Sequence, residues 1–210
     1  MISKTYEIID FHCHAFPDSL AEQAMSKLQY DGEVQASLDG KLSSLSAAME
    51  KAGISRAVIA SIATKVSQYS SILSWLEKIS SDKFFPFPSV HPEDPLAVSR
   101  IKEIAQTGFK GIKLHPYYQN FFMDEKRIYP LYETIQDSGL ILLMHTGFDI
   151  AFERIRRGSP EQIIRVISGF PELKLICSHF GAWEDWDEVE RLLLGKEIYM
   201  DLSYSLDYLG

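Results

Sequence analysis

Short apolar runs alternate with longer amphipathic stretches along almost the whole chain. Seven runs have the length and composition of buried strands, namely residues 6–12, 55–61, 84–90, 109–115, 140–145, 173–178 and 197–202. Helix-like stretches lie between them at residues 42–53, 69–81, 95–108, 129–139 and 159–171. Strands that alternate with helices in this way predict parallel βαβ units in an α/β fold. No linker divides residues 1–210, so we expect one domain, built either as an open doubly wound sheet or as a (β/α)8 barrel.

Local signals mark several helix boundaries. Gly53 and Gly108 each follow a helical pattern, as expected of residues that end a helix. Pro95 is expected in the first turn of its helix. The acidic run EDWDEVE, residues 184–190, is interpreted as a solvated helix start, because acidic side chains suit a helix N-terminus.

The positions of the histidines favour the barrel. There are six, and each falls at the carboxyl end of a predicted strand: His12, His14, His91, His115, His145 and His179. In a (β/α)8 barrel these strand ends converge on one mouth, whereas in an open sheet they are spread along an edge. The sequence therefore predicts a TIM-barrel fold with a histidine cluster at its mouth.

The two-residue period of a strand predicts which side chains face the barrel axis. The residues assigned to the axis, strand by strand, are Ile8, Asp10, His12 and His14; Gly111, Lys113 and His115; Ile141, Leu143 and His145; and Leu175, Cys177 and His179. Phe11 and Cys13 are assigned to the opposite face, against the helices.

Neutral imidazoles bind zinc and similar divalent ions, and such an ion would compensate histidines buried at strand ends. His12, His14 and His179 are the preferred ligands, followed by His145. His115 is expected to bind either the metal or the substrate. The role of His91 stays open between the site and the orientation of its own loop. Asp10 is expected to orient one imidazole by a hydrogen bond to the ring nitrogen that does not bind the metal.

Composition limits the partners and the compartment. The formal net charge of −8 argues against nucleic acid, and the longest apolar run, GLILLM at residues 139–144, is too short to span a bilayer. Cys13 and Cys177 have no CxxC spacing, which favours a reducing compartment, and MISKTYEII lacks the apolar core of a signal peptide. We therefore expect a cytoplasmic protein with a small-molecule substrate. GxSxG, Walker A and GxGxxG motifs are absent.

Four segments in series carry a family resemblance: IIDFHCH, GFKGIKLHPYYQNF, LILLMHTG and LICSHFG. Together they resemble the amidohydrolase-2 group, the relatives of aminocarboxymuconate semialdehyde decarboxylase in the amidohydrolase superfamily. The resemblance runs from residue 8 to about residue 203. Two other groups that share HxH fit less well. The histidinol-phosphatase-like group continues toward an SDG-like motif, and the TatD-like group places a glutamate on strand four.

The resemblance implies one divalent ion, zinc or alternatively manganese, bound by His12, His14, His145 and His179. It implies that Lys113 and His115 face the site as catalytic residues. It also implies hydrolysis of C–O or C–N bonds, or alternatively removal of CO2 without oxidation, and it leaves a homodimer open.

One departure concerns the C-terminal end of the sequence. In the family, an Asp on strand eight binds the metal and acts as the general base. Strand eight would fall here at roughly residue 230. The 210 residues stop after strand seven, so we expect either a sequence shortened relative to the natural protein, which we favour, or a fold closed in another way. Asp201 is expected not to replace the missing base, because it would project from a different wall.

The missing strand also motivates a function of another class, a non-catalytic metal-binding protein or an inactive shortened homologue. Aromatic residues expected near the mouth would favour an aromatic or conjugated substrate if several of them line it: Phe16, Tyr117, Tyr118, Phe121, Phe122, Phe148 and Trp183.

Overall fold

The structure is a computed structural model that describes residues 7–208. Its strands are β1 (Ile9–Cys13), β2 (Arg56–Ala60), β3 (Phe84–Phe87), β4 (Gly111–Leu114), β5 (Ile141–Met144), β6 (Lys174–Cys177) and β7 (Tyr199–Met200). Its α-helices are α1 (Asp18–Gly32), α2 (Leu42–Ala52), α3 (Tyr69–Ile79), α4 (Ala97–Gln106), α5 (Tyr129–Asp137), α6 (Pro160–Gly169) and α7 (Trp186–Leu192). Single 3-10 turns occupy Val66–Gln68, Lys126–Ile128 and Leu206–Tyr208. The predicted α/β class and all seven predicted strands are confirmed, although residue 6 of the first predicted strand lies outside the described residues.

All the paired strands are parallel and follow chain order. β1, β2 and β3 form one hydrogen-bonded set, and β4, β5, β6 and β7 form another. The backbone N–H of Lys113 donates to the carbonyl of Pro88 at 2.8 Å, which joins the end of β3 to β4. Within residues 7–208 there is no eighth strand, so β1 and β7 are the two lateral edges.

The strands separate two apolar clusters. The smaller one lies on the inner face of the strands and consists of Val58, Ala60, Phe87, Leu143 and Ile176, with Phe11, Phe85 and Ile141 against it. The larger one includes the opposite strand residues, such as Ile59, Ile112 and Leu114, together with the buried faces of the helices. This is the two-layer packing of strands inside helices that a barrel requires.

The predicted faces hold in β4 and β5 but are wrong in part of β1. Phe11 packs on the inner cluster, with its ring centroid 5.8 Å from that of Phe87, instead of against the helices. The register with β2 shifts between Asp10 and Cys13, which means that an extra residue is inserted there. Such a bulge interrupts the two-residue period and re-aims the side chains beyond it.

The face predicted for β6 is also wrong. Leu175 and Cys177 belong to the outer cluster, and Ile176 belongs to the inner one. His179 still reaches the mouth because its backbone is left-handed, with φ of 59°. That turn changes the alternation after the strand ends, so simple counting along the strand fails at this residue.

The five predicted helices are present with small shifts at their ends. α4 begins at Ala97, two residues after Pro95, because the Asp94 carboxylate accepts the N–H of Leu96 at 2.9 Å before the helix starts. The helix expected after residue 184 is confirmed as α7, with Asp187 and Glu188 in its first turn. No strand or helix was predicted over α1, and its only buried residue is Ala21, so it carries no apolar stripe to detect.

None of the helices in the described part of the chain combines the length and the apolarity needed to cross a membrane.

Candidate active site

Five of the six histidines meet at the carboxyl ends of the strands. The ring centroids of His12 lie 5.0 Å from His14 and 5.4 Å from His179. His145 lies 4.8 Å from His179 and is stacked on His115 at 4.0 Å. The structure therefore brings the four predicted metal ligands, His12, His14, His145 and His179, into one continuous group with His115.

His91 does not belong to this group. Its Nδ1 accepts the backbone N–H of Glu93 at 3.2 Å, and its carbonyl accepts the N–H of Asp94 at 2.9 Å. These bonds shape the loop after β3. Of the two roles left open by the sequence, the geometry favours orientation of this loop.

Three of the imidazoles are each held through their own Nδ1 atom. Nδ1 of His12 faces Oδ2 of Asp201 at 2.9 Å, Nδ1 of His14 faces the carbonyl of Ala60 at 2.8 Å, and Nδ1 of His179 faces the carbonyl of Ser203 at 2.9 Å. Each partner is an oxygen acceptor, so each Nδ1 carries the proton and each Nε2 keeps a free lone pair. Metal-binding histidines are typically oriented in this way.

The fourth imidazole has the opposite orientation. Nε2 of His145 donates to the carbonyl of Phe148 at 3.1 Å, which leaves Nδ1 as the nitrogen with the free lone pair. That atom lies 3.0 Å from Nε2 of His179. Two lone pairs that face each other at this distance repel, unless a proton or a cation is shared between them.

Asp10 does not hold an imidazole, so that expectation is wrong. Its carboxylate accepts the backbone N–H of His12 at 3.2 Å. The acid that contacts the His12 ring is Asp201, at the end of β7. The expectation that Asp201 projects from a different wall is therefore also wrong, since its carboxylate reaches across from β7 to β1.

Lys113 is fully buried in the centre of the group. Its Nζ lies 3.2 Å from Nε2 of His12, and no carboxylate among residues 7–208 lies within 4.0 Å of it. Burial lowers the pKa of Lys113 to about 7, although the more distant charges of Asp201 and Asp149 oppose that shift. The amine is therefore only partly protonated near neutral pH, and an anion bound beside it would favour its charged form.

Asp149 is a site residue that the sequence reasoning missed. It lies in the loop after β5, and its Oδ2 is 3.4 Å from Nε2 of His115 and 3.6 Å from Nε2 of His145. Nδ1 of His115 is buried without a hydrogen-bond partner in the structure. No motif pointed to Asp149, since a single acid in a loop gives no periodic signal.

Burial and the neighbouring positive groups keep the imidazoles neutral. The pKa values of His12, His115 and His145 lie well below the ordinary 6.5, mainly because burial disfavours the charged form. His14 is the most exposed residue of the group, yet the protein packed around its ring and the charge of Lys113 lower its pKa to about 4. Neutral imidazole is the form that binds a metal ion.

A buried amide fixes the loop that carries His115. The side-chain oxygen of Gln119 accepts the backbone N–H of His115 at 2.9 Å. Its NH2 group donates to the carbonyls of Ala63 and Val90 and to the hydroxyl of Ser89. One side chain therefore ties the ends of β2, β3 and β4 together, which positions the start of the loop.

Of the aromatic residues expected at the mouth, Tyr117 and Tyr118 place their rings against the histidine group, and Phe148 contacts it through its backbone carbonyl. The Tyr118 ring lies 4.8 Å from His115, and the Tyr117 ring lies 5.7 Å from His145. Phe121 belongs to the outer core instead. Burial raises the pKa of each of these tyrosines to about 12, so both hydroxyls stay protonated near neutral pH.

Comparison with known proteins gives a family match over almost the whole described chain. Residues 9–208 match the Amidohydro_2 family, described as amidohydrolase. Among characterised relatives, the dihydroorotase of Aliivibrio fischeri strain MJ11 is 28% identical over 132 residues. That match covers 56% of this chain and 39% of the dihydroorotase, so the chain spans about two fifths of the length of that relative.

Similar solved structures are TIM-barrel proteins and related enzymes. An uncharacterised TIM-barrel protein from Bordetella bronchiseptica has a TM-score of 0.67 and 22% identity, covering 94% of this chain and 75% of its own. A probable 2-pyrone-4,6-dicarboxylic acid hydrolase from Acinetobacter baumannii, with citric acid bound, has a TM-score of 0.62 and 12% identity, covering 95% and 71%. A 5-carboxyvanillate decarboxylase from Novosphingobium aromaticivorans, with bound manganese, has a TM-score of 0.59 and 16% identity, covering 85% and 67%. These likenesses show the fold, and this chain is shorter than each of the three.

Proposed function

The chain belongs to the Amidohydro_2 family of amidohydrolases, and from this premise we propose a specific activity. It is a divalent-metal-dependent hydrolase that acts on a C–O or C–N bond of a small organic acid, ester, lactone or amide. One observation carries the proposal: the rings of His12, His14, His145 and His179 form one continuous group at the strand ends, and each ring is held through one nitrogen.

The residues present fit a metal ion. Three of the imidazoles are oriented through Nδ1, and the fourth through Nε2, which leaves the second nitrogen of each ring without a proton. The contact of 3.0 Å between His145 Nδ1 and His179 Nε2 is favourable only with a positive charge between or beside the two atoms. Both zinc and manganese accept such ligands, and zinc is the better match to an imidazole-rich set.

When bound, the ion supplies Lewis-acid polarisation of the substrate carbonyl and lowers the pKa of a water molecule. The protein's own groups bind and orient the substrate. Lys113 provides a buried positive charge for a substrate carboxylate or for negative charge that develops during reaction. His115 offers Nδ1, which has no partner in the structure, as a hydrogen-bonding atom beside that charge.

A non-oxidative decarboxylase of an aromatic or conjugated carboxylate is the second candidate. Two observations favour it: the fold likeness to the 5-carboxyvanillate decarboxylase, and the rings of Tyr117 and Tyr118 against the histidine group. In that case Lys113 would anchor the carboxylate that leaves as CO2.

The carboxylate that the family resemblance places on an eighth strand has no counterpart within residues 7–208. Turnover by this 210-residue chain is therefore itself part of the proposal. The rival view is a metal-binding protein without catalysis.

The test is a substrate panel assayed with zinc-loaded and manganese-loaded protein. Release of acid from lactones, cyclic amides and esters reports hydrolysis, and release of CO2 from carboxylated phenols reports decarboxylation. We expect turnover of one class that is abolished in His12→Ala and retained in His91→Asn, since His91 lies outside the group. Binding of metal without turnover of any member would favour the non-catalytic alternative.

A further inference from the structure

We propose that Asp201 and Ser203 are positioning residues for the metal centre. They hold His12 and His179 across the gap between β1 and β7, with both Nε2 atoms turned toward the other side chains of the histidine group. This inference rests on the proposed function, because it assigns those two nitrogens to the metal. It also gives Asp201 a role other than metal ligand or general base.

Four protein donors contact the carboxylate of Asp201. Oδ2 accepts from Nδ1 of His12 at 2.9 Å. Oδ1 accepts the backbone N–H groups of His179 at 3.1 Å and of Ser203 at 3.0 Å, and the hydroxyl of Ser203 at 2.5 Å. Oδ1 is therefore fully occupied by three donors, whereas Oδ2 has one donor, the His12 ring, and this is the bond that orients the imidazole.

The hydroxyl of Ser203 fixes the proton positions on both imidazoles. Its single hydrogen is directed to Asp201, so its lone pairs face Nδ1 of His12 at 2.9 Å and Nδ1 of His179 at 3.2 Å. The carbonyl of Ser203 also accepts from His179 Nδ1 at 2.9 Å. Every neighbour of the two Nδ1 atoms is therefore an acceptor, and both rings carry their proton on Nδ1.

The same acid holds the backbone turn that carries His179. His179 and Phe180 are both left-handed, with φ of 59° and 56°, a conformation that side chains other than glycine adopt at a cost. The N–H of Phe180 donates to the carbonyl of Asp201 at 2.7 Å, in addition to the bond from His179 to its carboxylate. Asp201 thus stabilises a turn that would otherwise relax and move the ring.

The contact also joins two strand edges. β1 and β7 share no strand pairing in the described part of the chain, so the bond between His12 and Asp201 connects them at the mouth. Both side chains are about 5% exposed, which means that this bond is shielded from solvent. Without this bond, the His12 side chain, which lies in the bulged part of β1, would be free to change its orientation.

The test substitutes Asp201→Asn, which keeps the size of the side chain. The two backbone N–H groups retain the amide oxygen, so the amide NH2 faces His12 Nδ1 and the His12 proton must move to Nε2. We expect the zinc affinity, measured by competition with a chromophoric chelator, to fall by about 10- to 100-fold. In chelator-treated protein, ¹H–¹⁵N spectra of the imidazoles should show the proton of His12 on Nε2.

The matched control is Asp10→Asn. Asp10 is also next to His12 but contacts only its backbone N–H, so this substitution should leave both the zinc affinity and the His12 tautomer unchanged. Ser203→Ala provides a second variant if Asp201→Asn fails to fold. It should weaken zinc binding, and Ser203→Thr, which keeps the hydroxyl, should restore it.

Unchanged zinc affinity and an unchanged His12 tautomer in Asp201→Asn would overturn the proposal. So would spectra of the cobalt-loaded protein that show loss of an oxygen ligand in this variant, because Asp201 would then bind the metal directly. If wild-type protein binds no metal but carries the His12 proton on Nδ1, the proposed function fails, whereas the orientation of the His12 ring by Asp201 and Ser203 stands.

Discussion

Nζ of Lys113 lies 3.2 Å from Nε2 of His12, the nitrogen that we assign to the metal. A fully buried amine without a close carboxylate lowers the stability of the fold. Such a cost is typical of functional residues, and here the amine lies beside a proposed metal ligand, where it can bind an anionic substrate. This relationship leads to the first prediction.

Lys113→Met should make the protein more stable and less active. Methionine keeps the length of the side chain and removes the buried positive charge, so we expect the free energy of unfolding to rise by at least about 1 kcal/mol. Turnover should fall by roughly 100-fold or more, because the anion-binding group is lost. Urea unfolding and steady-state kinetics check the two effects.

The control for that substitution is Lys110→Met. Lys110 is exposed at the start of β4, so its replacement should change stability by less than about 0.5 kcal/mol and leave turnover intact. A Lys113→Met protein that is less stable than wild type would show that the amine stabilises the fold.

Gly147→Ala should be strongly destabilising. Gly147 has φ of 84°, and an added Cβ would lie 1.9 Å from the backbone nitrogen of Trp183, which pairs with this segment. We expect a loss of more than about 3 kcal/mol in urea unfolding, because two backbones would have to separate.

The matched control is Gly139→Ala. Gly139 has φ of 67° but open space around the added Cβ, so only the left-handed backbone is penalised, by about 1–2 kcal/mol. Equal losses of unfolding free energy in the two variants would mean that the left-handed backbone alone causes the loss. The close approach of Gly147 to Trp183 would then be wrong.

Metal-free protein should lose stability as the pH falls below 6.5. The pKa values of His115 and His145 are lowered in the folded state. Below pH 6.5 the unfolded chain therefore binds more protons at these two residues than the folded chain does. The stability is fully present above 6.5, the ordinary imidazole value, and decreases toward lower pH by up to about 1.4 kcal/mol per pH unit for each such imidazole.

Urea unfolding of chelator-treated protein at pH 7.5, 6.5, 5.5 and 4.5 measures this effect. His145→Gln should reduce the slope, since it removes one imidazole that takes up a proton on unfolding. A stability that is flat between pH 7.5 and pH 4.5 would show that the histidines are hydrated and titrate normally.

The sequence predicted the strands and most helices because apolar periodicity is a local property. It also placed Lys113 and five of the six histidines correctly at one mouth, since the strand direction determines where each strand ends. The inward faces of β1 and β6 were predicted incorrectly because a bulge and a left-handed turn interrupt the alternation there. The residue types near Asp10 do not indicate a bulge, and a histidine at position 179 does not indicate a left-handed backbone.

The partners of the histidines were the least predictable part of the site. Asp201 and Ser203, which follow β7, are 189 and 191 residues from His12 in the sequence, and their contact with it depends on how β7 approaches β1. Asp149 lies in a loop whose path follows from the pairing of Gly147 with Trp183. Such contacts are set by tertiary packing, which local patterns do not encode.

The most direct test of the account is the metal stoichiometry of the purified protein, measured by native mass spectrometry and elemental analysis after addition of zinc or manganese. We predict one divalent ion per chain in wild type, with loss of the ion in His12→Ala and His145→Ala and its retention in His91→Asn. A folded wild-type protein that binds no ion under these conditions would contradict the assignment of the histidine group to a metal centre.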